Sequence, residues 1–147
     1  MALGELIEES SGKITSQRVL DVEGPTVETS VVASGTIKGI PVQVMLTFTG
    51  TPTAEKGVIH GVGKGVITAI GNEGKLEMIS YTGEGIGRLD SSGNIKWRGS
   101  IFTRKQYYSK ITGQAGEKLS FLNNMVGVFE SEIDAAGNFS EKIWEWK

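Results

Sequence analysis

The chain has 147 residues, a formal net charge of −2 and no cysteine, and 21 of its residues are glycine, roughly twice the usual share of ~7%. Its length suits a single domain over residues 1–147, able to bury roughly 70% of its unfolded surface. The missing cysteine excludes a disulfide framework, a thiol nucleophile and cysteine-ligated zinc or iron–sulfur centres, and the near-neutral charge argues against nucleic acid or an anionic membrane as partner.

Met1-Ala2-Leu3-Gly4-Glu5 carries neither a basic start nor an apolar run long enough for a signal peptide or a membrane span, so a cytoplasmic protein is expected. Leu3 to Glu8 reads as a first strand, with a helical turn as the alternative. Glu9-Ser10-Ser11-Gly12-Lys13 then has glycine at its fourth place, the pattern of a three-residue hairpin loop. A second strand follows at Lys13 to Val22. Glu23-Gly24-Pro25 breaks the chain before a Val- and Thr-rich run from Thr26 to Ile37. Lys38-Gly39 turns it back into Pro41 to Thr49, where Val42, Val44, Leu46 and Phe48 alternate with more polar residues. A polar loop, Gly50 to Lys56, leads into the segment around which the chain is organised.

From Gly61 to Arg104, three strand-like segments carry glycine at alternate positions. Gly71-Asn72-Glu73-Gly74-Lys75 and Asp90-Ser91-Ser92-Gly93-Asn94 repeat the loop pattern, and such a loop pairs its first and fifth residues. Counting outward then pairs Ile67 with Ile79, Gly65 with Tyr81, Gly63 with Gly83 and Gly61 with Gly85. The next hairpin pairs Leu89 with Ile95, Gly87 with Trp97, Gly85 with Gly99 and Gly83 with Ile101. Seven glycines thus share one sheet face with Tyr81, Trp97 and Thr103. The opposite face is the more polar one and holds His60, Lys64, Glu84, Arg88 and Arg98. Glycine weakens a strand interior, so such a patch needs a reason. Sharp curvature with Trp97 lying across the gap is one. Room for a ligand is the other, and the two are compatible.

Beyond Arg104, Gln106-Tyr107-Tyr108-Ser109-Lys110 and Thr112 to Gln114 precede Lys118 to Asn124. Leu119 and Leu122 there suit a short helix ended by asparagine over one barrel mouth. The last hairpin turns at Asp134-Ala135-Ala136-Gly137-Asn138. It pairs Ile133 with Phe139 and Phe129 with Ile143 on one face, and Glu130 with Lys142, Val128 with Trp144 and Val126 with Trp146 on the other. Eight or nine strands joined by short hairpins dispose of their edges by closing. The fold class expected is therefore all-β, an antiparallel up-and-down barrel of about eight strands with one short helix before the C-terminal hairpin.

Gly83-Glu84-Gly85-Ile86-Gly87-Arg88, Arg98-Gly99-Ser100-Ile101-Phe102, Lys118 to Asn124, Val126-Gly127-Val128-Phe129-Glu130 and Lys142-Ile143-Trp144-Glu145-Trp146-Lys147, in this order, resemble a group of small uncharacterised bacterial and archaeal proteins. Their barrels are similar to those of allene oxide cyclases and calycins. The resemblance covers nearly the whole chain and implies a barrel. It carries no catalytic motif, so it implies no activity.

Gly61-Val62-Gly63-Lys64-Gly65 matches neither glycine motif for nucleotides and reads as strand. Asp90 and Asp134 lack the further acidic ligands of a calcium loop and read as turn formers. His60 is the single histidine, which excludes a multi-histidine metal site, and no Gly-x-Ser-x-Gly elbow is present. Glu84, Arg98, Arg88 and Lys64 beside His60 form either a buried acid–base constellation or an exposed charge lattice. Trp144 and Trp146 lie either in the core or outward as an apolar patch suited to contact between copies, a homo-oligomer.

The function expected is non-catalytic binding of a small, mostly apolar ligand in or at the mouth of the barrel, through Gly63, Gly83, Gly85, Tyr81, Trp97 and Thr103. No metal or cofactor is expected. A cyclase or isomerase acting on an apolar substrate, and an oligomerising module with a filled core, are the alternatives. A void in the lumen separates the last from the other two; a buried ionisable group beside the void separates enzyme from binder.

Overall fold

The computed structural model describes residues 3–70, 76–104 and 119–147. Eight strands, β1 (Leu3–Asp21), β2 (Thr26–Ile37), β3 (Ile40–Pro52), β4 (Val58–Ile70), β5 (Leu76–Leu89), β6 (Ile95–Thr103), β7 (Val126–Ile133) and β8 (Asn138–Trp146), follow one another around a closed antiparallel barrel. A 3-10 turn at Ser120–Leu122 precedes the C-terminal hairpin. Closure is made by β1, which pairs with β8 from Leu3 to Lys13 and with β2 from Glu8 to Asp21.

The registers counted from the turns hold. Gly63 faces Gly83, Gly65 faces Tyr81, Gly87 faces Trp97, Ile133 faces Phe139 and Phe129 faces Ile143. The pairing of β7 with β8 ends at Gly127 and Glu145, one step short of Val126 and Trp146. In the two turns described, Gly93 and Gly137 have φ of 84° and 85°. Asp90 accepts through Oδ1 from the Ser92 and Asn94 amides, and Asp134 from those of Ala136 and Asn138. The turn at 71–75, with Gly74, and the segment 105–118 lie outside the described residues.

The hairpin expected at residues 9–13 is not formed, and the two strands expected there are one strand of 19 residues. Two features separate this stretch from the real turns. It begins with Glu9, whose longer side chain replaces the aspartate that closes the other loops on their own amides. Its glycine serves close approach instead of a left-handed turn. A Cβ on Gly12 would stand 2.0 Å from the Val32 carbonyl oxygen, and one on Gly35 would stand 1.9 Å from that of Glu9. Glycine lets β1 and β2 approach this closely at Gly12 and Gly35.

The glycine face is the inner one. Val31, Ile37, Val44, Ile79, Leu119 and Leu122 form the most buried part of the core. Leu119 and Leu122 come from the chain around the 3-10 turn, which closes one end of the barrel. The Leu119 amide donates to Glu77 Oε1 at 3.1 Å. The Thr103 hydroxyl accepts from the Met125 amide at 2.8 Å and donates to the Leu122 carbonyl. Phe129, Ile133, Phe139 and Ile143 belong to the inner face, so Trp144 and Trp146 point outward. Trp144 pairs with Leu6 and Val128, and Trp146 with Leu3. This is the orientation on which the expected contact between copies depends. Among the described residues no helix is long and apolar enough to cross a membrane, a statement that does not concern the strands.

Candidate functional site

Above the glycine wall lies a cavity of about 60 Å³, counted as space open to the centre of a water molecule. That is several times what one water requires, and less than half of the ~150 Å³ that admits benzene. Gly61, Gly63, Gly83 and Gly85 form one side of it, Phe48, Tyr81, Trp97 and Phe129 supply rings, and Ser131 and Glu141 supply polar groups. A wider open hollow of about 610 Å³ lies beside it, also lined by Trp97, Ser131 and Glu141. These three residues therefore border both spaces, and the exposed residues Lys64 and Glu84 also border the cavity.

Both reasons for the glycines apply. The Trp97 indole crosses the wall so closely that a Cβ on Gly61 would meet it at 2.6 Å and one on Gly87 at 2.8 Å. Phe48 meets the same indole edge to face, with centroids 5.3 Å apart. Tyr81 covers Gly65 in the same manner. Gly63 and Gly83 carry no ring over them and stay on the cavity wall. They are not open ground, since a Cβ on Gly83 would already lie 3.0 Å from both Ile101 Cγ2 and the Ser100 carbonyl oxygen.

At the polar side of the cavity, two carboxyls are brought together from neighbouring strands. On β8, strict alternation places Glu141 inward with Phe139 and Ile143. On β1, alternation outward from Ile7 would place Glu8 in solvent. A register shift between Leu6 and Glu8 instead buries both Ile7 and Glu8. It is a bulge of the kind that re-aims a side chain. Glu8 is 1% exposed and Glu141 8%. Ser10, also buried, pairs directly with Glu141.

Burial pushes the Glu8 carboxyl up to about 7, against the pull of the Ser10 hydroxyl and of Glu141. Glu141 is pushed well above the usual carboxylate range by burial, then by the Glu8 charge and by its hydrogen bond to Glu8. With both groups ionised, Glu8 Oε1, Glu8 Oε2 and Glu141 Oε1 have no partner. A proton on Glu141 lets it donate to Glu8, so the two share protons and titrate as a unit. The buried Tyr81 hydroxyl and Trp97 Nε1 also lack partners. Burial, then the charges of Glu141 and Glu8, raises Tyr81 well above its usual value and keeps it neutral.

Of the residues expected to bind a ligand, Gly63, Gly83, Gly85, Tyr81 and Trp97 line this cavity. Thr103 shares their face but stands at the closed end, engaged with Leu122 and Met125. The His60 constellation is an outer charge lattice. His60 Nε2 lies 3.7 Å from Glu84 and Arg98 Nε 3.5 Å from Glu130, all with exposed or half-exposed side chains. Among the described residues no group of three His, Cys, Asp or Glu gathers that could hold a metal ion. Glu8, Ser10 and Glu141 were not among the expected residues. Parity along β8 marks Glu141, whereas nothing in the alternation of β1 marks Glu8.

No family model, no curated protein and no solved structure matches this chain.

Proposed function

We propose that the protein binds a small, mostly apolar molecule inside the barrel, without catalysis. The observation that carries this reading is the cavity, walled by glycine backbone and aromatic rings beside the packed core. Glycine-free strands would fill that space with their own side chains. At about 60 Å³ the cavity suits a molecule of only a few heavy atoms, and movement of Trp97 would lengthen it toward the outer hollow. The likeness to allene-oxide-cyclase-like and calycin barrels belongs to this proposal and is supported by the closed eight-stranded topology. So does a cytoplasmic location, in keeping with a barrel that needs no disulfide.

A cyclase or isomerase in the same lumen is the second reading. The buried carboxyl pair favours it, because proton-sharing groups held out of water are what acid–base chemistry requires. Native mass spectrometry of the protein from its own host tests the first reading. A retained molecule released unchanged supports binding, release of a converted molecule supports the enzyme, and a lumen holding nothing but water overturns both.

A further inference from the structure

The walls of the cavity and the groups behind them differ in charge. Every described lysine and arginine is exposed. Lys64 and Glu84 border the cavity, and Lys96, Arg98 and Lys142 border the outer hollow that Glu141 shares. Among the described residues, the cations near the pair therefore have solvent-exposed side chains, and none is buried with Glu8 and Glu141. Glu8 pairs with Ile37 on β2 and Ile143 on β8, and Glu141 pairs with Ser10 on β1 and Ser131 on β7. The Tyr81 phenol on β5 is close enough to feel both charges, and Glu9 on the outer side of β1 adds a further negative charge. A carboxyl pair without a buried counter-ion therefore reaches, through Glu141, a cavity lined by four aromatic rings, whose faces attract cations.

We propose that the lumen takes a small primary amine as its ammonium ion, with the –NH₃⁺ group against Glu141 and the charge of Glu8 behind it, and a short alkyl body among Phe48, Tyr81, Trp97 and Phe129. This rests on the lumen-binding reading above. Two of the three protons of an ammonium group match the acceptors left unpartnered at the cavity, Glu141 Oε1 and the oxygen of Tyr81. Neutralising the pair removes the charge that burial makes costly. A carboxylate ligand would add a second negative charge beside that of the pair, and a neutral alcohol would leave the pair's charge in place.

The pH dependence follows from the pair. An alkylamine has a pKa near that of lysine, ~10.4, and stays charged from pH 6 to 8. Glu8, titrating at about 7, goes from roughly one-tenth to nine-tenths ionised over that range, so affinity should rise about tenfold and then level off.

The test is calorimetric or NMR titration of the intact chain with propylammonium, 1-propanol and propionate at pH 6, 7 and 8, repeated on Glu141→Gln and Glu8→Gln. Propylammonium should bind best, gain about tenfold between pH 6 and 8, and lose its advantage over propanol in both variants. Should the variants fail to fold, the pH profile and ligand order of the parent protein decide. Equal binding of propylammonium and propanol at every pH overturns the amine inference and leaves the lumen reading standing, and so does preference for propionate. Binding of none of the three overturns both.

Discussion

The carboxyls of Glu8 and Glu141 meet inside the barrel from adjacent antiparallel strands, two residues apart in register: Glu141 pairs with Ser10, and Glu8 pairs with Ile143. A bulge at Ile7 makes the meeting possible. It links a local backbone irregularity to the electrostatics of the cavity, and it has a consequence for stability.

Glu8 titrates at about 7 in the folded protein against an ordinary 4.5. Between these values the folded chain holds more protons than the unfolded one. Stability from this group is therefore complete below about pH 4.5 and is lost as pH rises through 7. The loss is roughly 2–4 kcal/mol for Glu8 alone, with Glu141 extending the decline to higher pH. Urea unfolding should give a lower midpoint at pH 8 than at pH 5, and Glu8→Gln should flatten the profile. A midpoint that climbs from pH 5 to 8 would show that the pair is not buried together.

The glycine wall predicts a coupling. The Trp97 indole is buried and held against Phe48, so a methyl on Gly61 has to displace it. Gly61→Ala should cost about 1–3 kcal/mol. With Trp97→Ala already made, the same change meets no ring, and losing a strand glycine should be neutral or stabilising by up to ~1 kcal/mol. A double-mutant cycle by denaturant unfolding should therefore return a coupling of at least ~1 kcal/mol. Additive effects would mean that the glycine at position 61 exists for another reason.

What the sequence disclosed and what it withheld follow from the same arithmetic. Where glycine took its place after an aspartate, counting outward gave true pairs such as Gly83 with Ile101 and Gly87 with Trp97, and with them the shared face that carries Trp97 and most of the cavity wall. Counting fails where the period of two fails. The bulge at Ile7 moved Glu8 from the outer face to the inner one without a mark in the residue pattern, and Gly12 resembled a turn glycine because close strand contact and a left-handed turn call for the same residue. Thr103 was placed on the correct face, but its partners come from the chain 19 and 22 residues later, beyond the reach of strand register.

The turn chemistry gives a third prediction. Gly93 has φ of 84°, and its amide donates to the Asp90 carbonyl at 3.2 Å. Gly93→Val should destabilise by more than ~1 kcal/mol through strain at this left-handed position, while Gly93→Asn, which tolerates such φ, should cost much less. Thermal melts of the two variants check this. Equal melting temperatures would show that the turn between β5 and β6 does not depend on a left-handed residue.

Thr103 marks the closed end of the barrel, and its substitution separates closure from binding. Its backbone amide donates to the Met125 carbonyl at 2.9 Å, a bond that survives any change of side chain. Its hydroxyl serves the Met125 amide and the Leu122 carbonyl. Thr103→Val keeps the shape and removes only the hydroxyl, leaving the buried Met125 amide without an acceptor, at a cost of about 1–3 kcal/mol. The loss falls on the turn that carries Leu119 and Leu122. Hydrogen exchange at Met125 should therefore quicken more than exchange in the centres of β3 and β4, which keep their ladder. The cavity, bounded instead by Trp97, Tyr81 and Glu141, should retain its ligand behaviour, so propylammonium should bind the variant as it binds the parent. Weakened binding with unchanged exchange would reverse the assignment and make Thr103 part of the ligand site.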